Sequence, residues 1–560
     1  MPVIIRNAKV YLQRGAFAEA LLIDGERILA AGTGAEIAAL VPRGSRVSEI
    51  DGRGGLLLPA FHDSHLHLWH FGCTIHEMDV HGARSIDDLV DRGRRALERI
   101  NPPPGAVIHG AGWDQEEFSA GGGKRYPNRF DLDRISSDHP IILERVCGHT
   151  ASCNTRALEM AGISGGDPWP GEAGQGGGVS DGRAELDREG RPLGVFHEKA
   201  IEKLRRLIPA FSNAQVKAQL EYGMGEALSL GLGSVECNDI FNDNFDQISG
   251  IYREILGEDR IRLRIGLQWH VTSEPRLNEL LGRNYVNRSC LGHPLLSLGA
   301  FKLFADGSMG SRTAHLSVPY ADDPATRGLA AMEAGAMAAA VKRLDGLGFQ
   351  VIIHAIGDAA ADQVLRCFEA LDCFKALDPG DSSGTPNPRR HAMVHCEVMT
   401  TGLLERMARR DILALVQPAF LTHDTAIAEI RLGRERASRF LPLGSMARMG
   451  IRTAYGTDCP VESLCPLKCI ENAVRRPARG EEGESCFFPE ERVDVYTAVD
   501  AYTAGSAYAA FAEDRLGRIR PGYLADLTLL DRDIFSTDPA EIGKAKVLFT
   551  MVGGRIAYGG

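Results

Sequence analysis

The chain has 560 residues, a formal net charge of −11 and 44% hydrophobic residues. This negative charge gives nucleic acids and anionic membranes no electrostatic reason to bind. No run of about 18 apolar residues predicts a transmembrane helix, and the first residues lack the pattern of a signal peptide. Twelve cysteines are scattered without a C-x-x-C pair, which is typical of thiols in a reducing compartment. We therefore expect a cytoplasmic enzyme that acts on a small molecule, with a homodimer as one open oligomeric state.

The two ends of the chain predict short strands that cannot close a core separately. Residues 21–23 and 28–30 flank Asp24-Gly25, a dipeptide typical of a type I′ hairpin turn. Near the other end, residues 525–530 are strand-like, and residues 546–552 lead through Gly553-Gly554 into a second hairpin. We expect residues 1–58 and 515–560 to form one small β-sandwich together.

Between these ends, over residues 59–514, apolar runs alternate with helical stretches, which is typical of a parallel α/β fold. The first strand candidate is residues 56–58, at the junction with the β-sandwich, and the others include residues 141–143, 298–301, 351–353, 392–394 and 412–416. The helical stretches include residues 334–347 and 401–409. The interval is much longer than the about 250 residues of a plain (β/α)₈ barrel, so we expect insertions. The glycine-rich residues 165–194 and the segment 378–390 are predicted to be long loops.

Two histidines follow the apolar run at residues 56–58, in the segment PAFHDSHLHL. A strand points alternate side chains to the same face. His65 and His67 are therefore predicted to point together into the mouth of a barrel, where one metal ion could bind both imidazoles. Taken alone, two histidines at this spacing are also common as polar loop residues, so the hypothesis depends on the rest of the chain.

Four further ligand-type residues lie in or just after apolar runs, where the carboxyl ends of barrel strands form the active face. They are Lys302, His354, His395 and Asp458. The intervals from Lys302 to His354 and from His354 to His395 each leave room for one βα unit. The interval from His395 to Asp458 leaves room for two units. The ligand-type residues are thus predicted on strands one, four, five, six and eight.

The motifs around these residues resemble the amidohydrolase superfamily, in the branch called amidohydrolase family 3, which includes N-substituted formamide deformylases. The resemblance is carried by PAFHDSHLHL, FKLFADGSMGSRTAHL, VIIHAIGDAAAD, MVHCEV, AYGTDCPVESLCPL and IRPGYLADLTLLDRD. It implies a (β/α)₈ TIM barrel with a long insertion after strand one, beside the split β-sandwich. It also implies a metal-dependent hydrolase that cleaves the C–N bond of a linear amide, similar to an N-substituted formamide.

By this resemblance, His65 and His67 hold one metal ion together with Asp458, and His354 and His395 hold a second ion. One divalent ion instead of two is also compatible with these ligands. Zinc suits an imidazole-rich site with a carboxylate, while iron, nickel and manganese stay open. The metal lowers the pKa of a bound water toward about 7. Asp458 could then move the proton to the leaving nitrogen, or act as a ligand only.

The resemblance also implies that Lys302 bridges the two ions as a carbamate. This modification is required because an ammonium group cannot ligate a cation. Burial beside a metal lowers the pKa of a lysine and frees its amine to react with carbon dioxide. The alternative is a plain lysine that is held against a carboxylate.

Three further residues are weaker candidates for lining the substrate pocket, and each could equally be structural: Trp113, His149 and Arg312. Two other functions also stay open. The substrate could be a cyclic amide, a carbamate or an ester, or the chain could be a regulatory relative without catalysis. The complete set of ligand-type residues disfavours the regulatory alternative.

Overall fold

The computed structural model describes residues 2–41, 46–115, 118, 125–145, 150–163, 183–375, 387–478 and 486–560. The chain forms two compact units. The first comprises Met1–Phe71 and Leu220–Gly560, and the second comprises Gly72–Gln219. The second unit therefore interrupts the sequence of the first. Within the described part of the chain, no helix is long and apolar enough to span a bilayer.

The strands are numbered in chain order. They are β1 (Val3–Arg6), β2 (Lys9–Gln13), β3 (Ala16–Ala18), β4 (Ala20–Asp24), β5 (Arg27–Gly32), β6 (Ser48–Asp51), β7 (Leu56–Pro59), β8 (Phe61–Leu66), β9 (Met78–Asp79), β10 (Ile108–Trp113), β11 (Ile141–Arg145), β12 (Thr150–Cys153), β13 (Arg183–Leu186), β14 (Pro192–His197), β15 (Leu232–Phe241), β16 (Arg264–His270), β17 (Cys290–His293), β18 (Leu296–Phe304), β19 (Val351–Ala355), β20 (Ala392–His395), β21 (Leu413–Val416), β22 (Thr453–Tyr455), β23 (Leu527–Leu530), β24 (Val547–Val552) and β25 (Arg555–Gly559).

The helices are numbered in the same way. They are α1 (Gly34–Leu40), α2 (Leu68–Cys73), α3 (Ile86–Ile100), α4 (Arg129–Asp133), α5 (Thr155–Met160), α6 (Glu202–Arg205), α7 (Asn213–Ser229), α8 (Phe245–Gly257), α9 (Glu274–Leu281), α10 (Ala334–Gly346), α11 (Asp358–Glu369), α12 (Asp372–Lys375), α13 (Thr401–Arg410), α14 (Thr425–Leu432), α15 (Arg434–Ala437), α16 (Leu443–Arg448), α17 (Pro466–Arg475), α18 (Val495–Asp500) and α19 (Ser506–Ala509).

Eight parallel strands of the first unit form a nearly closed barrel. Their order is β8-β15-β16-β18-β19-β20-β21-β22, and each neighbouring pair is parallel. Short strands such as β21 are buried along their whole length. Parallel strands that are covered on both faces need apolar residues throughout, which explains the continuous apolar runs in the sequence. The predicted TIM barrel is thereby confirmed.

The barrel helices follow from local sequence signals, as α13 illustrates. The Thr400 side chain accepts a hydrogen bond from Leu403 N at the start of the helix, as an N-cap residue does. Leu403, Leu404 and Met407 form its buried side, and the helix ends at Arg410, before Asp411, which has a φ of +50°. The predicted helices at residues 334–347 and 401–409 correspond to α10 and α13.

Two runs that were predicted among the strands of the barrel lie in other sheets. The run at residues 56–58 belongs to β7, which pairs with β23 and β2, and the first barrel strand, β8, begins at Phe61. The run at residues 141–143 belongs to β11, in the sheet of the second unit. Both runs are buried and apolar, so their composition does not distinguish them from barrel strands.

The two ends of the chain form two further sheets, with orders β5-β4-β1-β6 and β25-β24-β23-β7-β2-β3. In the second sheet, Leu57 pairs with Val10 on one side and with Leu529 on the other, so both ends build one core. Both predicted hairpins are present. In the first hairpin Asp24 pairs with Arg27, so the turn consists of Gly25 and Glu26; only Gly25 has a positive φ, +57°, and the turn is therefore not of type I′ as expected. Gly553 and Gly554 have φ values of +57° and +71°, as a type I′ turn requires. The boundaries at residues 58 and 515 stay predictions.

The second unit has its own six-stranded sheet, with order β13-β14-β12-β11-β10-β9. Part of the loop predicted at residues 165–194 is a hairpin instead, because β13 and β14 pair there and place Ala184 and Phe196 in a buried cluster. Residues 164–182, and residues 376–386 of the other predicted loop, lie outside the described residues.

Candidate metal centre

The six ligand-type residues are all found at the carboxyl ends of barrel strands. His65 is in β8 and His67 directly follows that strand, Lys302 is in β18, His354 is in β19, His395 ends β20, and Asp458 follows β22. These are strands one, four, five, six and eight of the barrel. The active face of a TIM barrel lies at this end of the strands.

The side chains from strands one and eight form a compact cluster. The ligand atoms of His65, His67 and Asp458 all lie within 4.8 Å of one another. Asp458 Oδ1 is 3.4 Å from His65 Nε2 and 3.3 Å from His67 Nε2. Within the described part of the chain, this buried oxygen accepts no hydrogen bond. It faces two imidazole nitrogens across a gap that suits a small cation.

Hydrogen bonds on the far side of each ring fix how these two imidazoles are protonated. His65 Nδ1 lies 2.6 Å from Gln268 Oε1, while Gln268 Nε2 donates to Ser64 O at 3.0 Å. His67 Nδ1 lies 3.1 Å from the carbonyl oxygen of Asn238. In both histidines Nδ1 therefore carries a proton, and Nε2 is the nitrogen that faces the carboxylate, where a metal ion would bind.

The histidines of strands five and six form the second half of the site. Their ring centroids are 4.4 Å apart, and the ring of His395 is 6.0 Å from that of His65. His395 Nδ1 lies 2.8 Å from Gln417 Oε1, which leaves Nε2 available. His354 donates from Nε2 to the carbonyl oxygen of Gly307 at 2.9 Å, so its available lone pair is on Nδ1.

Lys302 is as fully buried as His65 and His395, with 1% of its surface exposed. Its Nζ lies 3.6 Å from the centroid of the Phe304 ring, and among the described residues no salt bridge includes it. Burial lowers the pKa of Lys302 to about 7, against the opposing charges of Asp458 and Asp306. The alternative of a plain lysine held against a carboxylate is therefore not supported by any ion pair in the described part of the chain.

Three of the four histidines are held in the neutral form that a metal ligand needs, because burial disfavours their charged form. Burial lowers the pKa of His65 and of His354 to about 3, and that of His395 well below its usual range. Burial also lowers the pKa of His67, but Asp458 raises it above the usual value. Burial opposes ionisation of Asp458, yet His67 and the other imidazoles keep its pKa below the usual value. The carboxylate is thus charged.

These residues fit a divalent metal. Four imidazoles, one carboxylate with an unpartnered oxygen and one buried amine lie at the carboxyl ends of the barrel strands. Neutral imidazole and carboxylate are preferred ligands of transition metals. His395 and Asp458 have positive φ values of +76° and +57°, a costly conformation that tends to persist at functional sites.

The barrel closes between strands one and eight through contacts outside the sheet ladder. Asp458 N donates to His65 O at 2.9 Å, and His67 N donates to Cys459 O at 2.8 Å. A Cβ atom at Gly456 would lie 2.8 Å from His65 N. Glycine at this position therefore lets the two strands approach, and this approach brings the three ligands of the first cluster together.

The buried carboxylate of Asp63 also connects strands one and eight. Asp63 accepts hydrogen bonds from His65 N at 3.1 Å, from Thr457 N at 3.0 Å, from Thr457 Oγ1 at 2.8 Å and from Tyr502 OH at 3.3 Å. Two of these donors belong to Thr457, next to Asp458. Asp63 thereby ties strand one to the segment that carries the ligand of strand eight.

The residues that orient the ligands are not among the site residues predicted from the sequence. Gln268 on strand three and Gln417 after strand seven hold His65 and His395. Asp306 accepts backbone hydrogen bonds from the segments after strands four and five, and its Oδ1 is 3.4 Å from His354 Nε2. The sequence does contain a signal for such orienting residues. Strands that carry no ligand also end in amide or acid side chains, and the active face of a barrel lies at this end of its strands.

The three weaker candidates are placed as follows. Arg312, on the segment after β18, pairs with Asp322 at 2.8 Å. Trp113 is buried in the second unit, where its indole N–H donates to Leu143 O at 2.9 Å. His149 lies outside the described residues. A role of these side chains in substrate binding stays a prediction.

The barrel and this site define a hydrolase that depends on a divalent metal. Residues 48–558 match the protein family described as the Amidohydrolase family. The chain therefore belongs to the amidohydrolase family.

Individual proteins agree with this assignment. The YtcJ amidohydrolase of Bacillus subtilis (strain 168) is 30% identical over 554 residues, which cover 97% of this chain and 98% of that protein. The N-substituted formamide deformylase of Arthrobacter pascens is 24% identical over 99% of this chain and 98% of its own length. An uncharacterized metal-dependent hydrolase from Pyrococcus furiosus, known from its crystal structure, is 28% identical with a TM-score of 0.73, over 96% of this chain and 100% of that one.

Proposed function

We propose that this protein hydrolyses the C–N bond of a linear amide, with N-substituted formamides as the substrate class. The observation that carries the proposal is the unpartnered Oδ1 of Asp458, which faces the Nε2 atoms of His65 and His67. The likeness to an N-substituted formamide deformylase over almost the whole chain supports the substrate class.

We further propose that the site holds two zinc ions. His65, His67 and Asp458 would hold the first, and His354 with His395 would hold the second. Six ligand-type residues exceed the four positions of a tetrahedral zinc site, which supports two ions rather than one. Imidazole and carboxylate ligands support zinc as the metal.

Lys302 would join the two ions as a carbamate. Its neutral Nζ adds to the carbon of carbon dioxide, forms an N–C bond and releases one proton, which leaves an anionic group with two oxygens. The pKa of about 7 provides neutral amine at physiological pH. The absence of a salt bridge to Lys302 among the described residues leaves the amine free for this reaction.

The metal, when bound, supplies Lewis-acid polarisation of the substrate carbonyl and acidifies water. Asp458 takes the proton of the attacking water at its carboxylate and delivers it to the leaving nitrogen, first as a general base and then as a general acid. Phe304 and Phe420 pack their rings against His354 and His395, with centroids 5.3 and 5.7 Å apart. These rings exclude bulk water and strengthen electrostatic interactions within the site.

The test is a substrate screen of the purified, metal-loaded protein against formamides, N-acyl amino acids and lactones. We expect formate release from formamides, two metal ions per chain by elemental analysis, and loss of activity with a chelator that zinc restores. The variant His67→Asn should lose metal. His81→Asn is a matched control, because His81 also pairs with a carboxylate, at 2.6 Å, but is exposed in the second unit. A folded, active sample without stoichiometric metal, or hydrolysis of lactones alone, would refute the proposal.

A further inference from the structure

A long connection follows strand four of the barrel and has no part in the proposed mechanism. Residues 305–333, which we call the strand-four loop, lead from β18 to α10. The structure describes all of them, and they contain no helix or strand. Connections of more than about 12–15 residues without secondary structure are uncommon in compact domains, and many of them are lids or binding loops. A role of this loop at the barrel mouth is therefore worth testing against its contacts.

The start of the strand-four loop is fixed to the metal centre. The carbonyl oxygen of Gly307 accepts the hydrogen bond from His354 Nε2 at 2.9 Å. Thr313 holds this part of the loop, because Gly307 N donates to Thr313 O at 3.2 Å and Ser308 N donates to Thr313 Oγ1 at 3.0 Å. A Cβ atom at Gly307 would lie 2.1 Å from Thr313 Oγ1, so the missing side chain permits this approach. The turn around Thr313 thereby sets the position of the carbonyl group that orients His354.

Further along the chain, the loop runs along the rim of the barrel mouth. The carbonyl oxygen of His315 accepts a hydrogen bond from Ala359 N at 3.1 Å, in α11, which follows strand five. Ala321 N donates to Arg431 O at 2.8 Å, in α14, which follows strand seven. The loop therefore extends from strand four to the helix after strand seven. On this path it passes strands five and six, which carry the histidines of the second half of the site.

One carboxylate fastens the middle of the loop to α14. Asp322 accepts hydrogen bonds from Arg312 Nη2, at 2.8 Å, and from Arg431 Nη1. We call Asp322, Arg312 and Arg431 the latch. Because Arg312 directly precedes Thr313 in the chain, the latch acts on the same turn that orients the histidine of strand five.

The latch is easier to break than the base of the loop. Its three side chains are between 15% and 36% exposed, and ion pairs that reach solvent are weak and are screened by salt. The latch also holds Arg312 at a φ of +56°, which is costly for a residue with a side chain. At the base, the buried Asp306 accepts three backbone hydrogen bonds. The middle of the loop can therefore leave the rim by a local opening while its base stays folded.

We propose that the strand-four loop is a gate at this side of the barrel mouth, and that Asp322 is a positioning residue whose ion pairs keep the gate closed and His354 in place. When the latch opens, the turn at Thr313 is released, and the carbonyl group of Gly307 no longer holds His354. Metal binding should in turn favour the closed gate, because coupling between two equilibria is reciprocal. The inference rests on the metal centre of the proposed function but not on its substrate.

Hydrogen exchange of the full-length protein, followed by mass spectrometry, tests the gate. Peptides from residues 313–324 should exchange more slowly in the zinc-loaded wild type than in the metal-free protein. In zinc-loaded Asp322→Asn this exchange should be at least about 5-fold faster than in the wild type, because both ion pairs of the latch are lost. Sodium chloride at about 1 M should have a similar effect on the wild type and little effect on the variant. Peptides outside the loop should not change, which distinguishes gate opening from a general loss of stability.

Asp323→Asn is the matched control. It removes the same charge one position further along, but the Asp323 side chain is bonded within the loop, where its Oδ1 accepts a hydrogen bond from Ala325 N at 3.2 Å. Its exchange should equal that of the wild type. Equal exchange in Asp322→Asn and the wild type would overturn the gate. If Asp322→Asn does not fold, the wild type decides, since exchange that does not respond to salt also overturns the gate.

The rate of metal release tests the link to His354. A chelator should remove zinc from Asp322→Asn at least about 5-fold faster than from the wild type or from Asp323→Asn. Faster exchange of the loop with unchanged zinc release would overturn the positioning role of Asp322. If exchange and zinc release both change as expected but no formamide is cleaved, the gate stands and the proposed function fails. If formamides are cleaved but neither rate depends on Asp322, the proposed function stands and the gate is wrong.

Discussion

Replacing Asp63 by alanine should open the barrel at its closure and release the metal. Asp63 receives four hydrogen bonds from buried donors, two of which belong to Thr457 across the gap between strands one and eight. A buried donor that loses its partner costs about 1–3 kcal/mol. If only the two Thr457 donors lose their hydrogen-bond partner, the free energy of unfolding should fall by roughly 2–6 kcal/mol. This is a large share of the ~5–15 kcal/mol that is typical of native proteins.

The assay is urea denaturation followed by circular dichroism, together with the metal content of the folded sample. We expect a lower urea midpoint and loss of metal from the His65, His67 and Asp458 cluster. Asp79→Ala is the control, because Asp79 is an exposed carboxylate whose loss should change stability by at most about 0.5 kcal/mol. An Asp63→Ala protein with the wild-type midpoint and full metal content would refute the role of Asp63 in closing the barrel.

Three further predictions concern single residues. Lys302→Ala should lose the second metal ion and its activity, and short carboxylic acids should restore part of both; an unmodified native Lys302 by mass spectrometry of the intact, metal-loaded protein would contradict the bridging role. Asp458→Asn should retain part of the metal, while kcat falls by more than the ~10²–10⁴-fold of a general acid–base group alone and KM changes little; near-native turnover would assign the proton transfer elsewhere. In the second unit, burial lowers the pKa of His109, but Glu144 and Glu77 raise it to about 9. Because this folded-state pKa exceeds the unfolded value of about 6.5, the stability it contributes should be complete below pH ~6.5 and be lost as the pH rises through 9. His109→Gln should flatten this part of the plot of urea midpoint against pH, and an unchanged plot would contradict the assignment.

The barrel and the strand positions of the ligand-type residues could be predicted because both depend on local signals. An apolar run followed by a histidine, lysine or aspartate marks the end of a barrel strand. Five such positions in chain order identify which of the eight barrel strands carry ligand-type residues. The assignment of β7 and β11 to a barrel could not succeed in the same way, since strand pairing is non-local. Residue Leu57 finds its partner at Leu529, and nothing in the run itself specifies that partner.

The residues around the ligands were harder to predict for a related reason. Gln268 and Gln417 act only because the barrel brings their amides against His65 and His395, and a lone glutamine after an apolar run is equally typical of an ordinary surface loop.

Because strands one and eight must meet to close the barrel, the first metal cluster can form only late in the synthesis of the chain. Asp63 and Thr457 are 394 positions apart, so a ribosome must make most of the chain before the two meet. After His65 and His67, the ribosome makes the entire inserted unit and seven more barrel strands before it reaches Asp458, the carboxylate that completes their cluster. Such distant contacts slow folding. Metal binding at this cluster would therefore indicate that all eight barrel strands have been synthesised. A translation product that stops before Asp458 could not bind the metal at this cluster.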